Sequence, residues 1–289
     1  MFTLPVLSQI VLNGITLSAI YILVALGFTL IFGVMRIINF AHGEFAMLGG
    51  FALLFLYSAL NLNFFVALLL ATLAVGAGSL VLEKFVYRRF YQREMPGMIA
   101  SLGLSIALIY GSVVLWGTHQ RSIPSAFSGI YKMGPVFITA ERIAVIGVCV
   151  ASLLLFYVVL KYTRMGLAMR VIAQDRATAE AQGIDTTSIY RYAFFISTAM
   201  AALAGGLIGQ LFSLSPFMGH MPLVKAFIVV ILGGLGSIPG AAVGGLILGL
   251  GESFVSTFYG ASAAQFISFG LIIVILLFRP EGLLGRKEG

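Results

Sequence analysis

Apolar runs long enough to cross a bilayer recur along nearly all of this 289-residue chain, and that recurrence limits its fold more than any motif does. A hydrocarbon core of roughly 30 Å takes about 20 apolar residues as a helix. Residues 143–160 and 192–224 carry no charge at all. The runs are continuous rather than short and alternating, which favours helices over a barrel. With 60% hydrophobic and 9% charged residues, the chain lacks the polar surface of a soluble domain. Its 34 glycines suit close helix packing in lipid. The expected fold class is an all-α polytopic membrane protein, a single transmembrane domain over residues 1–289. Cys149 is the only cysteine, which leaves no disulfide and no thiolate metal site. Met1–Pro5 places no basic residue ahead of the first apolar run, so that run reads as a retained membrane helix rather than a cleaved signal.

The expected spans lie near 6–32, 43–60, a third from the turn at Asn61-Leu62-Asn63 to 82, then 97–116, 143–160, 192–212 and 263–278. Region 223–256 is interrupted at Gly233-Gly234-Leu235-Gly236-Ser237-Ile238-Pro239-Gly240, giving about eight embedded segments. The net charge of +7 raises nucleic acid as a partner, but the basic residues cluster at span ends, so they orient the chain in the lipid bilayer. Lys84, Arg88, Arg89 and Arg93 sit in one connection. Lys161, Arg164, Arg170, Arg176 and Arg191 sit in another, and Arg279, Arg286 and Lys287 at the end of the chain. All fall on one side under this span order, and the positive-inside rule makes it cytoplasmic. The N-terminus is then outside, Arg36 inside, and the connection 117–141, with Pro124, Gly129, Gly134 and Pro135, outside. Region 223–256 must enter and leave by the outer face. Each half, at about 14–16 residues, spans roughly 21–24 Å. It is either a hairpin of half-helices or two short tilted helices.

Two glycine-interrupted segments are candidates for a transport pathway, because non-helical backbone survives at membrane depth only beside protein or a cavity. The first is Gly33-Val34-Met35-Arg36-Ile37-Ile38-Asn39-Phe40-Ala41-His42-Gly43-Glu44, from which Asn39, Phe40, His42, Gly43 and Glu44 are candidate pathway residues. The second contributes Gly233, Gly234 and Gly236. Each also has a plain reading, as a cytoplasmic turn and a tight helix crossing. His42 and Glu44 invite a proton relay, yet a spacing of two puts them on different faces of a helix, and polar residues at a span mouth explain them more simply. Glu252 either lines a pathway or sits at the outer interface. Enzyme signatures are missing. There is no P-loop, and Pro239 and apolar flanks argue against a dinucleotide loop at Gly234-Leu235-Gly236. Gly103-Leu104-Ser105-Ile106 resembles the serine motif of rhomboid-type proteases, but Ile106 stands in place of glycine and no histidine is expected opposite Ser105.

The segment 161–191 is unusual, with eight of the chain's 27 charged residues in 31 positions between uncharged runs. Residues 166–183 have high helix propensity and end at a glycine. Asp185 or Thr186 suits the N-cap of the next span. A short amphipathic cytoplasmic helix either rests on headgroups or engages a partner protein.

Three ordered motifs resemble the LivH-type permeases of branched-chain amino acid ABC transporters. They are Gly33 to Phe45, then Gly166-Leu167-Ala168-Met169-Arg170 with Ala173-Gln174-Asp175 and Gly183-Ile184, then Leu232 to Gly240. The general importer motif, Glu-Ala-Ala and then glycine, reads Glu180-Ala181-Gln182-Gly183 in this chain. The resemblance implies a type II-like importer permease in the bacterial plasma membrane. It implies as partners a sister permease, two ATPase subunits and an extracytoplasmic substrate-binding protein, with ATP-Mg bound by the ATPases and no cofactor in this chain. It also implies coupling to the ATPases through Gly166, Arg170, Gln174, Asp175, Glu180, Gly183 and Asp185. Branched-chain amino acids are the expected cargo, with urea or short amides as the alternative within the family and an ion-coupled secondary transporter as the alternative outside it.

Overall fold

The computed structural model describes residues 3–91 and 93–285. The long helices are α1 (Leu4–Met35), α2 (His42–Leu54, continued by a π turn, Phe55–Ala59), α3 (Phe64–Phe85), α4 (Glu94–Trp116) and α5 (Ala140–Tyr162). Two short helices follow, α6 (Arg164–Gln174) and α7 (Arg176–Ala181), then α8 (Thr186–Leu211), α9 (His220–Gly233) and α10 (Ile238–Phe278). Among the described residues, six helices are long and apolar enough to cross a membrane: α1, α3, α4, α5, α8 and α10. Helix α9, with 14 residues, is too short for a full span, as expected for the first half of region 223–256, but the second half is not short: α10 runs unbroken from Ile238 to the non-helical Gly260, long enough to cross. Asn63 caps α3 by accepting from Phe65 N, and Ser237 caps α10 by accepting from Gly240 N.

Helix α1 is central, packed on α5, α8, α9 and α10, while α2, α3 and α8 pack on one another. Small residues set the spacing. Gly14, Gly245 and Gly249 sit where α1 and α10 touch, Ser253 Oγ donates to Ile10 O (2.7 Å), and Ser18 Oγ donates to Leu246 O (3.2 Å). These pairings make α1 and the first limb of α10 antiparallel. Gly260, at φ +85, is non-helical and divides α10 into that limb and a second one covering the expected last span. Beyond it, Leu283 N donates to Leu232 O and Leu284 N to Gly233 O, so the chain's end closes over the start of the Gly234–Ser237 turn. Arg286 and Lys287, counted above in the orientation, lie outside the described residues.

The polar connections gather at two ends, as the span order requires. At one end Arg191 lies 3.9 Å from buried Glu83, and the Tyr91 and Tyr190 rings pack at 4.7 Å. At the other, Arg121 and Leu214 exchange backbone hydrogen bonds and Trp116 stacks on Phe51. Connection 117–139, read from the sequence only as a turn-rich loop, contains a hairpin of β1 (Ile130–Met133) and β2 (Val136–Thr139), turning at Gly134 with φ +60. One expectation needs correcting. The single helix over 166–183 is two helices, because Asp175 leaves helical backbone (φ −151) and turns its carboxylate to Thr178 N, capping α7.

Candidate functional site

The first break is a re-entry. Helix α1 ends at Met35, and Arg36 takes left-handed backbone (φ 52). The chain then returns, so that His42 Nε2 lies 3.1 Å from Val24 O. Val24 is 11 residues before Met35, about 16 Å along the helix. Helix α2 therefore begins inside the molecule, not at its basic end. The turn that makes this possible is held by side chains. Asn39 Oδ1 accepts from Ala41 N (3.0 Å) and from Tyr87 OH (2.6 Å), and Ser101 Oγ accepts from Phe40 N (3.0 Å). Ser105 Oγ donates to Glu44 Oε1 (3.2 Å). Asn39, His42 and Glu44 are all buried. Asn39 Nδ2, His42 Nδ1 and Glu44 Oε2 have no partner among the described residues, so each keeps hydrogen-bonding capacity in the interior.

A second re-entry meets the first. Residues 212–219 leave the far end of α8, opposite the basic end, without helical structure. Leu214 packs at Gly50 and Gly209, and five residues on Gly219 reaches Gly43. A methyl group on Gly43 would strike the Gly219 carbonyl, and one on Gly219 would strike the Glu44 carboxylate. The starts of α2 and α9 thus abut, each bringing the positive end of its dipole, with the Glu44 carboxylate between them. Phe28, Phe40 and Phe227 close the side of this junction that faces the basic end, with the Phe28 and Phe227 rings 4.7 Å apart.

The α6–α7 segment presents a polar face at the basic end. Gly166 is buried against the Val159 and Leu160 carbonyls, and Met169, Ile172 and Ala179 point inward. Arg170, Gln174, Asp175, Glu180, Gly183 and Asp185 are exposed. Gly183, at φ +79, lets its own N–H reach Glu180 O while Ile184 N reaches Ala179 O, a Schellman ending that stops α7. Asp185 caps α8 through Thr187 N and Ser188 N. Hydrogen bonds hold three carboxyls below their ordinary values: Thr178 for Asp175, Arg176 and Thr186 for Glu180, and Ser188 for Asp185.

Residues 10–276 match the family described as "Branched-chain amino acid transport system / permease component". The chain belongs to this permease family. It is 35% identical to the high-affinity branched-chain amino acid transport system permease protein LivH of Escherichia coli K12, over 97% of this chain and 96% of that protein. It is 33% identical to BraD, named as a permease of the same kind of system in Pseudomonas aeruginosa, over 97% and 96%. A probable LivH of Methanocaldococcus jannaschii is 28% identical over 96% and 92%. Among solved structures, PsaBC from Streptococcus pneumoniae in complex with Fab shares the fold, with TM-score 0.53 and 14% identity over 93% of this chain and 91% of that one. Family and fold together bear out the all-α polytopic permease read from the sequence.

Within this permease the two predicted glycine breaks do not come together. Asn39, Phe40, His42, Gly43 and Glu44 form the junction with Gly219. Gly233 packs on Gly240, Gly234 lies against Gly285 and Glu281, and Gly236 is exposed. The segment facing the first break is 212–219, which the prolines and glycine of Ser215-Pro216-Phe217-Met218-Gly219-His220-Met221-Pro222 signalled inside an apolar run. Ser105 bonds Glu44 and no histidine, so the rhomboid-like serine–histidine pair is not assembled. His42 turns to α1 and Glu44 to α4 and α9, and no hydrogen bond joins them among the described residues. Glu252 is not merely interfacial. It accepts from Lys225 Nζ (2.7 Å) and Tyr21 OH (3.0 Å) between α1, α9 and α10. Lys225 was missed in the sequence, although it and Glu252 are the only charged residues between Arg191 and Arg279.

Proposed function

We propose that this chain is the membrane-spanning subunit of an ATP-driven importer of branched-chain amino acids in the bacterial plasma membrane. Its partners are a sister permease, two ATPase subunits that bind ATP-Mg and carry all of the hydrolytic activity, and an extracytoplasmic substrate-binding protein. The observation that carries the reading is the exposed face of α6, α7 and the turn that follows them. Six of the seven proposed coupling residues are exposed there, and the helix ends are fixed by the Asp175 cap and the Gly183 ending. A firmly capped polar face transmits displacement, as a coupling surface must. Gly166, the seventh, seats α6 against the end of α5 and passes that movement to the spans.

Movement of α6–α7 tilts α5 and α8, which flank the segment, and α8 carries α2 with it. The abutting starts of α2 and α9 are the place where such a tilt opens a path, because the backbone there is already non-helical. Asn39, Phe40, His42, Gly43 and Glu44 then line the pathway from the first break, and Gly233, Gly234 and Gly236 flank its cytoplasmic exit. The chain supplies few strong ligands, so substrate affinity resides in the binding protein.

Uptake by the reconstituted complex tests the reading. Leucine accumulation that requires ATP and the loaded binding protein, and that persists when the proton gradient is collapsed, is the expected result. Accumulation driven by a proton gradient without ATPase subunits would replace it with secondary transport through His42, Glu44 or Glu252.

A further inference from the structure

Lys225 and Glu252 form an ion pair inside the membrane-spanning body, and its geometry is open on one side. Both the Lys225 ammonium and the Tyr21 hydroxyl bond the same oxygen, Glu252 Oε2. Oε1 accepts no hydrogen bond among the described residues, and the Glu252 side chain is 18% exposed against 7% for Lys225. Lys225 also lies 5.7 Å from the Tyr21 ring centroid, which keeps the ammonium beside the carboxylate. One acceptor and the remaining ammonium donors are therefore available side by side.

The depth of the pair matters. Glu252 belongs to the part of α10 that packs on Gly14, ten residues or about 15 Å from Leu4 along α1, and Tyr21 lies about 10 Å deeper. With the N-terminus outside, Glu252 lies in the outer half of the first limb of α10, and Lys225, six residues beyond Gly219 on α9, reaches it from beside the α2–α9 junction. Isolated ions at such depth are costly, and a pair kept only for stability is commonly replaced without loss by apolar side chains. A free amino acid carries the same two charges as the pair, and a pathway through apolar helices must meet both.

We propose that Lys225 and Glu252 are the outer binding point for the zwitterionic head of a free α-amino acid. Its ammonium binds Glu252 Oε1 and its carboxylate binds Lys225, while Tyr21 holds Glu252 in place. The inference rests on the amino acid reading above and adds the residues that recognise the cargo. It also explains how a pathway poor in strong ligands passes a dipolar ion. The pair converts a charge-exchange step into a swap of partners, with no net charge left uncompensated.

The test uses the complete transporter in proteoliposomes, with leucine as cargo. The variant Lys225→Met/Glu252→Gln removes both charges together and strands neither. The expected result is leucine uptake lowered roughly tenfold or more, with ATP hydrolysis stimulated by the loaded binding protein unchanged. Wild-type uptake by this variant overturns the inference and leaves the pair a structural one. If the double variant does not assemble, Glu252→Asp keeps both charges and withdraws the carboxylate by one methylene. Half-saturation then rises severalfold with hydrolysis unchanged, and unaltered uptake again refutes the proposal. A wild-type complex that imports urea or acetamide but no amino acid sinks the substrate reading itself, and that result is distinct from both of these.

Discussion

At the scale of single residues, the α2–α9 junction has no room to spare. Gly43 meets the Gly219 carbonyl so closely that an added methyl group forces the two helix starts apart. Gly43→Ala should cost about 1–3 kcal/mol by overpacking, seen as a lower melting temperature in detergent together with lost uptake. Gly78, on the exposed face of α3 with nothing near its Cα, is the control. Gly78→Ala should leave uptake unchanged and stabilise slightly, by about 0.5–1 kcal/mol, because alanine costs less backbone entropy in a helix. If both variants behaved alike, the close approach would carry no consequence. The residues of the first break were readable in sequence because three polar residues, Asn39, His42 and Glu44, fall close together inside apolar surroundings. Their supports were not. Tyr87, Ser101 and Ser105 come from elements some 50 to 60 positions away, and a serine in an apolar helix gives no periodic signal. Lys225 with Glu252 was legible in principle, as two lone opposite charges in a long neutral stretch.

At the scale of elements, the proposed coupling segment shows how local chemistry divides what propensity joins. Residues 164–181 favour helix as a stretch, yet Asp175 finds a better partner in Thr178 N than in continued helix and makes two short rods. The second rod depends on Gly183, whose φ of +79 is costly for any residue with a Cβ. Gly183→Val should leave insertion and ATPase assembly intact while uptake per ATP hydrolysed falls severalfold. Normal coupling in that variant would detach α7 from energy transmission. The caps also predict a pH response. Asp175 and Asp185 have carboxyl pKa values depressed by the hydrogen bonds they accept. Their contribution is thus present above the ordinary carboxylate value of roughly 4 and is lost as pH falls through the lower folded value. Amide protection over 176–190 should stay flat from neutral pH down to about 5 and fade only below the carboxylate range, as read by hydrogen exchange. Fading near pH 6 would point to a histidine instead. The break at 212–219 escaped the sequence reading for a different reason. Its flanks are as apolar as the spans, so only the prolines and Gly219 marked it, and the stronger glycine signal at 233–240 drew the assignment.

At the scale of the whole molecule, orientation and function stand together, because a coupling surface is useful only on the side where ATP is. The charge pattern that set the orientation was legible early. The folded chain then brings the connections at 83–93 and 176–191 to one end through Glu83 and Arg191, while Arg121 and Leu214 join at the other. Single cysteines can read this directly. Cys149 is the only cysteine, so a Cys149→Ala background is silent to a membrane-impermeant maleimide. Ser213 and Arg89 are exposed at opposite ends of the fold and lie outside the α6–α7 face, so a docked ATPase should not mask them there. Ser213→Cys should label in intact cells, and Arg89→Cys only after the membrane is permeabilised. The opposite pattern would put α6 and α7 outside the cell. In that position no ATPase could reach them, the outer Lys225–Glu252 pair would become an inner one, and coupling and cargo entry would have to be reassigned together.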